Sequence, residues 1–230
     1  MGSIAIIPAR GGSKRIPRKN IKKFLGKPII AYSIEAALES QLFDVVMVST
    51  DDEEIAEIST KYGATVPFCR SREMSSDVAP TAPVLTEVLS EFEKRGKTFE
   101  YVCCLYPCAP FVTTKRIKES MDLLNNSDAD SVMPVVKFSY PPQRCLVMRE
   151  KKLVMLYPEN LSVRSQDLES LYHDAGQFYC ARSTSLLSQG KLLCENTIPI
   201  ILSDTEVQDI DTLEDWAIAE IKYQILQRAL

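Results

Sequence analysis

Short apolar runs alternate with helical patterns along most of this chain. Strands are predicted over residues 4–7, 45–49, 101–106, 131–136, 177–181 and 197–202, and helices over residues 28–40, 52–62, 81–94, 114–124 and 213–226. Asp51 or Asp52 is predicted to cap the second helix, and Thr113 or Thr114 the fourth. Strands and helices that alternate in this way form a mainly parallel, doubly wound sheet, because each helix crosses back over the sheet to start the next strand. The sequence therefore predicts a single Rossmann-like α/β domain over residues 1–230.

The alternation fails over residues 138–173. Tyr140-Pro141-Pro142 and the charged run from Arg149 to Lys152 interrupt short strand-like pieces there. We expect a small arm that is inserted into the main sheet. Three roles are open to it: dimerisation, covering a ligand site, or a tolerated surface insertion.

A cluster of positive charge directly follows the first predicted strand. Eight Lys or Arg residues and no Asp or Glu lie between Arg10 and Lys27. This segment contributes +8 to a chain whose net charge is −4, which leaves −12 for the remainder. Such a local reversal of sign indicates a site that attracts a polyanion, and a polyphosphate is the natural candidate.

The turn Arg10-Gly11-Gly12-Ser13-Lys14 gives this charge a geometry suited to phosphate. Glycines allow positive φ and a close approach of backbone to ligand, and successive N–H groups in such a turn form an anion-binding nest. The segment is neither a Walker A loop nor a Gly-x-Gly-x-x-Gly motif. The alternative is a basic loop that is only solvated, and the coincidence of strand, glycines and charge disfavours it.

Asp209-Ile210-Asp211 alternates acidic and apolar side chains near the end of the chain. In an extended segment the two carboxylates share one face, with their Cα atoms roughly 6–7 Å apart. Carboxylates so placed can bind Mg²⁺ together with substrate phosphates. Taken alone, the motif favours capping of the following helix by Asp211 or Thr212. The metal interpretation depends on the positive turn elsewhere in the chain.

The composition excludes several classes of protein. The net charge of −4 disfavours nucleic-acid binding. No apolar run reaches the length of a membrane span, and no secretory signal precedes Ile4. The seven cysteines include no Cys-x-x-Cys pair and are typical of reduced thiols. We therefore expect a cytoplasmic protein that binds neither nucleic acid nor membrane.

Four segments together resemble the CMP-sugar synthetases, also called acylneuraminate cytidylyltransferases. They are residues 7–20, 48–51, 70–77 and 209–212, which follow the family's order over essentially the whole chain. The first and last segments are specific as a pair. The resemblance implies the nucleotide-diphospho-sugar transferase form of the doubly wound fold. It also implies a reaction in which CTP and a nine-carbon 2-keto acid sugar yield a CMP-sugar and pyrophosphate, with Mg²⁺ as cofactor and a homodimer as the assembly.

Other segments are more similar to the family members that use pseudaminic acid than to those that use sialic acid. These are residues 106–111, 138–144, 164–169 and 173–179. The sialic acid enzymes usually have Gln at the position of Tyr106, whereas both subgroups have a hydroxyl residue at the position of Cys108. Pseudaminic acid is therefore favoured. The alternatives are sialic, legionaminic or an eight-carbon acid, a sugar 1-phosphate, and a regulatory module that binds CTP without catalysis.

The resemblance also assigns roles to individual residues. Nucleotide contacts fall on Ala9, Arg10, Gly11, Gly12, Ser13, Lys14, Lys19, Asn20, Arg70 and Thr81. Sugar contacts fall on Tyr106, Gln143, Arg144, Arg164, Gln166, His173, Gln177 and Phe178. The metal ligands are Asp209 and Asp211. The catalytic residues are Arg10, Lys14, Lys19 and Asp211. Asp211 either accepts a proton or only holds the ion. From the residues alone, Arg70 is by default a surface residue, and His173 is either a polar contact to substrate or structural.

Overall fold

A seven-stranded sheet forms the centre of the molecule. The computed structural model describes residues 2–229. Its strands are β1 (Gly2–Pro8), β2 (Lys23–Phe24), β3 (Lys27–Pro28), β4 (Val45–Ser49), β5 (Phe99–Leu105), β6 (Ser131–Lys137), β7 (Leu146–Arg149), β8 (Lys152–Met155), β9 (Tyr172–Asp174), β10 (Phe178–Arg182) and β11 (Thr197–Leu202). Its α-helices are α1 (Ile29–Ser40), α2 (Glu53–Lys61), α3 (Thr81–Glu93), α4 (Thr114–Asn125), α5 (Ser183–Gln189) and α6 (Leu213–Ala229).

The main sheet has the strand order β11–β6–β10–β5–β1–β4, and β9 also pairs with β6. β1 is parallel to both β4 and β5, and β11 is parallel to β6. β10 lies antiparallel between β5 and β6, and β9 is antiparallel to β6. The predicted fold class, a Rossmann-like and mainly parallel sheet, is confirmed.

Most predicted elements have their expected bounds. β4 and β11 match the predicted ranges residue for residue. Asp52 caps α2 by accepting a hydrogen bond from Ile55 N at 3.0 Å, and Thr113 caps α4 by accepting one from Arg116 N at 3.3 Å. The sequence pattern does not predict α5, β9 or the short β2–β3 pair. Each of these elements is too short for a helix or strand period to be visible.

Helices cover both faces of the sheet. On one face α1, α2 and α4 contribute Ile34, Ile55 and Ile117 to one buried cluster. On the other face α3 and α5 contribute Leu85 and Leu186 to a second cluster. Because both faces are buried, the strands are held firmly and the loops at their carboxyl ends project from a rigid edge.

A third apolar cluster joins segments from near the two ends of the chain. Phe24 is fully buried and packs edge-on against Tyr32 and Trp216, with ring centroids 5.5 and 5.6 Å away. Ile16 and Ile210 belong to the same cluster and are each 2% exposed. Burial of these side chains holds α6, and the segment just before it, against the segment that follows β1.

The arm predicted over residues 138–173 contains the hairpin β7–β8 and several short 3-10 turns. Glu150 and Lys151 both have positive φ, 49° and 65°, as the two turn residues of a type I′ hairpin do. β9 returns the arm to the main sheet through β6. The role of the arm and the single-domain organisation stay predictions. Among the helices of residues 2–229, none is long and apolar enough to cross a membrane.

Candidate active site

A cavity of about 460 Å³ opens where β1 and β5 end. Doubly wound folds bind ligands at such a crevice, because the chain crosses to β4 on one side of β1 and to β5 on the other. The cavity also contacts the segment before α6. Its lining residues are Pro8, Arg10, Ser13, Lys14, Arg15, Ile16, Lys19, Asn20, Asp77, Tyr106, Pro107, Cys108, Gly176, Asp209, Ile210 and Asp211.

Residues 10–20, which we call the basic turn, use their backbone groups internally. Gly11 N donates to Asp51 Oδ1 at 2.9 Å, and Ser13 N donates to Gly11 O at 3.0 Å. A Cβ on Gly11 would lie 2.6 Å from Asp52 Oδ2, so this position requires glycine for a close approach and not for positive φ. Two amides of the expected nest are therefore occupied, and the charge at the cavity comes from side chains.

The basic turn meets the acidic doublet, Asp209 and Asp211, at the cavity. Lys19 Nζ donates to Ile210 O at 2.6 Å and lies 3.7 Å from Asp211 Oδ1. Arg15 Nη1 donates to the other oxygen, Asp211 Oδ2, at 2.7 Å. Two stretches that are far apart in the sequence thus bring opposite charges to the same wall of the cavity.

Thr212 caps α6, and the side chain of Asp211 takes no part in the cap. Thr212 Oγ1 accepts a hydrogen bond from Asp215 N at 3.2 Å. Asp215 Oδ2 in turn accepts hydrogen bonds from Thr212 N at 2.7 Å and Asp211 N at 3.1 Å. This reciprocal arrangement is a capping box with Asp in the place of Glu. The Asp211 carboxylate therefore remains at the cavity.

Asp209, the other member of the doublet, is in an environment that disfavours its negative charge. The residue as a whole is exposed, but partial desolvation and then the negative charge of Asp211 raise the pKa of its carboxyl group. Within residues 2–229 no group of three or more His, Cys, Asp or Glu side chains is placed to hold a metal ion. A cation bound here would have two protein carboxylates and would take its other ligands from water or substrate.

Asn20 and Cys108 support the start of the basic turn. Asn20 is 5% exposed, and its Nδ2 donates to Arg10 O at 2.9 Å. Cys108 Sγ donates to Asn20 Oδ1 at 3.2 Å. Burial raises the pKa of the Cys108 thiol to about 12. The thiol is therefore protonated near neutral pH and serves as a donor rather than as a nucleophile.

Arg70 and Thr81 lie beside the cavity rather than in its lining. Arg70 is only 8% exposed, so it is not the surface residue that the sequence alone suggests, and its Nε donates to Ser49 Oγ at 3.0 Å. Burial lowers the pKa of its guanidinium group. Thr81 Oγ1 is 3.2 Å from the hydroxyl of Tyr106, whose ring packs edge-on against Tyr179. Of the predicted sugar contacts, Tyr106 alone lines the cavity.

Gln177 and Phe178 are buried and do not line the cavity. Gln177 is 2% exposed and its Nε2 donates to Glu206 O at 2.6 Å. Phe178 is fully buried in the larger core cluster. β10 lies between two strands, and helices cover both faces of the sheet there. The side chains on both faces of β10 are therefore buried. In this structure Phe178 is a core residue, and Gln177 supports the segment before α6.

The remaining predicted sugar contacts lie on the arm or on β9, and none of them lines the cavity. They are Gln143, Arg144, Arg164, Gln166 and His173. Their contacts are local: Arg164 Nε pairs with Asp167 Oδ2 at 2.7 Å, and Gln143 Nε2 donates to Glu169 O at 2.8 Å. His173 is exposed, and its ring packs against Phe138 with centroids 4.9 Å apart.

Two charged residues at the cavity have no predicted role. Arg15 contacts Asp211, and the basic run in the sequence was the signal that could have identified it. Asp77 pairs with Arg10 through one carboxylate oxygen and with Lys14 through the other. Hydrogen bonds from Lys14, and to a smaller extent from Arg10, hold the pKa of the Asp77 carboxyl group below its usual range. No local pattern indicates this contact, because its partners lie far apart in the chain.

Comparison with known proteins identifies the family. The family model described as cytidylyltransferase matches residues 4–209. The chain is 40% identical over 226 residues to the pseudaminic acid cytidylyltransferase of Campylobacter jejuni subsp. jejuni serotype O:2, covering 98% of this chain and 97% of that one. It is 33% identical over 237 residues to the CMP-N,N'-diacetyllegionaminic acid synthase of Legionella pneumophila, covering 100% of both. The chain therefore belongs to the cytidylyltransferase family, which confirms the resemblance seen in its sequence, and it is a nucleotidyltransferase.

A solved structure supports the same fold. CMP:2-keto-3-deoxy-manno-octonic acid synthetase, determined in complex with CTP, superposes with a TM-score of 0.72 over 99% of this chain and 100% of that one. The sequence identity of this pair is 16%, so the match bears on the fold alone.

Gly11 and Gly12 provide a matched test of the packing of the basic turn. Gly11→Ala should lower the free energy of unfolding by about 1–3 kcal/mol, because its Cβ overlaps Asp52, which Arg18 and the α2 cap hold in place. At Gly12 the nearest atom to a new Cβ is Arg10 Nη1 at 3.9 Å, so Gly12→Ala should change stability by less than about 0.5 kcal/mol. Urea unfolding measures both, and equal losses would contradict the assigned close approach.

Proposed function

We propose that this enzyme transfers the cytidylyl group of CTP to pseudaminic acid, a nine-carbon 2-keto acid sugar, and releases pyrophosphate. The observation that carries the proposal is the meeting of the basic turn with the acidic doublet at one cavity, where Lys19 Nζ lies 2.6 Å from Ile210 O. The 40% identity to a pseudaminic acid cytidylyltransferase over nearly the whole of both chains supports the choice of sugar.

In the proposed reaction the anomeric hydroxyl oxygen of the sugar attacks the α-phosphorus of CTP. The new oxygen–phosphorus bond forms while the bond to the bridging oxygen of the β-phosphate breaks, and pyrophosphate leaves in line. Arg10, Lys14 and Lys19 line the cavity and stabilise the negative charge that grows on the leaving phosphates. Asp211 faces the same cavity and is the candidate to accept the hydroxyl proton.

The acidic doublet fits a magnesium ion. Mg²⁺ prefers oxygen ligands and commonly takes one or two carboxylates together with substrate phosphates. Desolvation, and then the negative charge of Asp211, raise the pKa of Asp209, and a divalent cation held by these two residues would relieve the repulsion between them. When bound, the ion neutralises phosphate charge and lowers the pKa of the attacking hydroxyl.

We also propose a cytoplasmic location and no nucleic-acid partner. The seven cysteines are all free thiols, as expected for a reducing compartment. The net charge of −4 gives no general attraction to nucleic acid, since the 31 Asp and Glu residues outnumber the 27 Lys and Arg residues.

A homodimer formed through the arm is the assembly that we propose. Met148 and Leu153 are paired across the β7–β8 hairpin and are 74% and 66% exposed, and Leu146 on the same face is 56% exposed. A monomeric protein rarely presents so many neighbouring apolar side chains to water. The arm also carries most of the predicted sugar contacts, which a second subunit would bring near a cavity.

Sedimentation velocity tests the assembly. The full chain should sediment as a dimer at micromolar concentration, and the double variant Met148→Glu, Leu153→Glu should sediment as a monomer, because it places charge in the proposed apolar contact. Leu193→Glu is the matched control: this leucine is 60% exposed and lies outside the arm. A wild-type chain that stays monomeric at tens of micromolar would rule out a stable dimer.

Substrate choice is tested by pyrophosphate release with CTP and a panel of acceptors. The panel contains pseudaminic, legionaminic and sialic acids, an eight-carbon 2-keto acid and a sugar 1-phosphate. We expect the highest kcat/KM with pseudaminic acid, loss of turnover in EDTA and recovery with Mg²⁺. A preference for another sugar would change the assigned substrate. CTP binding without pyrophosphate release from any acceptor would indicate a regulatory module instead.

Lys19 tests the role of the basic turn. Lys19→Ala should lower kcat/KM for CTP by about 100-fold, because it removes a cation that stabilises the leaving phosphates in a partly desolvated site. Lys23→Ala makes the same change at an exposed residue outside the cavity and should leave the kinetics within about twofold. Steady-state kinetics with varied CTP concentration measures kcat/KM for both variants. Equal losses would mean that the net charge of the protein, rather than the position of Lys19, causes the effect.

A further inference from the structure

Asp77 forms ion pairs with Arg10 and Lys14, the two cations to which the proposed function assigns phosphate binding. Its Oδ1 pairs with Arg10 Nη1 and its Oδ2 pairs with Lys14 Nζ, and all three residues line the cavity. One carboxylate thus bridges two cations with its two oxygens. Two oxygens of a phosphate group can make the same pair of contacts, so Asp77 and a polyphosphate exclude each other at this position.

Asp77 lies in a loop that is anchored at Arg70 and Ser71 and ends where α3 begins at Thr81. Arg70 N donates to Thr50 O at 2.9 Å, and Ser71 Oγ donates to Glu87 Oε2 at 2.8 Å. Val78, next to Asp77, is 86% exposed and therefore adds no buried apolar contact. The contacts to Arg10 and Lys14 hold this part of the segment at the cavity, and it can withdraw without breaking a packed core.

We propose that Asp77 competes with the phosphates of CTP and of pyrophosphate for Arg10 and Lys14, and thereby promotes release of pyrophosphate after each turnover. The inference rests on the proposed function of the cavity. A polyphosphate must displace the carboxylate before it can bind these two cations. The free energy of the ion pairs in the free enzyme is therefore subtracted from the free energy of polyphosphate binding. Asp77 therefore lowers the affinity of the site for pyrophosphate and so favours its dissociation.

The substrate can displace Asp77 because the three side chains of these ion pairs are partly exposed to water. The side chains of Arg10, Lys14 and Asp77 are 34%, 78% and 42% exposed. Ion pairs in such surroundings are weak because water and salt screen them. A triphosphate with several negative charges therefore displaces one carboxylate. Asp211 is different, since it is followed directly by the cap of α6 and the buried Ile210 precedes it, which keeps it in place.

Calorimetry with inorganic pyrophosphate tests the inference without relying on turnover. The full-length wild type and Asp77→Asn are titrated in EDTA, so that only protein cations bind the anion. Asp77→Asn should bind pyrophosphate roughly 3- to 10-fold more tightly, and the difference should shrink as salt is added. Asp77→Glu, which keeps the charge, should stay close to wild type. Asp122→Asn removes the same charge from an exposed position on α4 and should leave the affinity unchanged.

The outcomes separate the two proposals. Weaker or unchanged binding by Asp77→Asn, with wild type binding normally, overturns the competition and leaves the proposed function intact. No binding by either protein contradicts the phosphate role of the basic turn and the competition together. A parallel change in Asp122→Asn would show a general charge effect and would also overturn the inference. In turnover, stronger product inhibition of Asp77→Asn by pyrophosphate is the supporting result.

Discussion

Charge compensation of the basic turn is the constraint on which the candidate site depends. A stretch with this density of positive charge repels itself unless acids from elsewhere in the chain approach it. Three separate segments supply them. The acids are Asp52 and Glu54 after β4, Asp77 before α3, and Asp211 before α6. At Arg18 the compensation sustains a left-handed backbone with φ of 55°, a conformation that costs free energy for a side chain of this size.

Apolar burial, rather than these ion pairs, fixes where the basic turn and the acidic doublet meet. Exposed ion pairs contribute at most about 1 kcal/mol each. A fully buried isoleucine contributes roughly 2–3 kcal/mol, and Ile16 and Ile210 are both buried in the cluster around Phe24. Because side chains alternate along an extended segment, burial of Ile210 turns Asp209 and Asp211 away from that cluster. The packing therefore sets the position of the charges, and the charges then determine which ligands fit.

The strands, the main helices and the fold class could be predicted because each has a local signal. The apolar run of β4 and the caps at Asp52 and Thr113 can be read within a few residues. The partners of the basic turn could not be predicted in the same way. Asp77 and Arg15 meet their partners only through tertiary contacts, and any of many acids would satisfy the charge. Phe178 differs, since its sugar role comes from the resemblance and stays a prediction, while the sequence pattern itself places it in the strand where it is buried.

The nucleotide and sugar halves of the proposed site differ in how completely one chain builds them. On the nucleotide side, Arg10, Lys14 and Lys19 line the cavity, and Asn20 connects the basic turn to Cys108. On the sugar side Tyr106 lines the cavity, while the arm residues contact their own segment. Phosphate recognition needs only charge and a short turn, which a single edge of the sheet provides. Distinguishing one nine-carbon acid from another needs several directed contacts, and in the proposed dimer the exposed apolar face of the arm is where a second subunit would bring them.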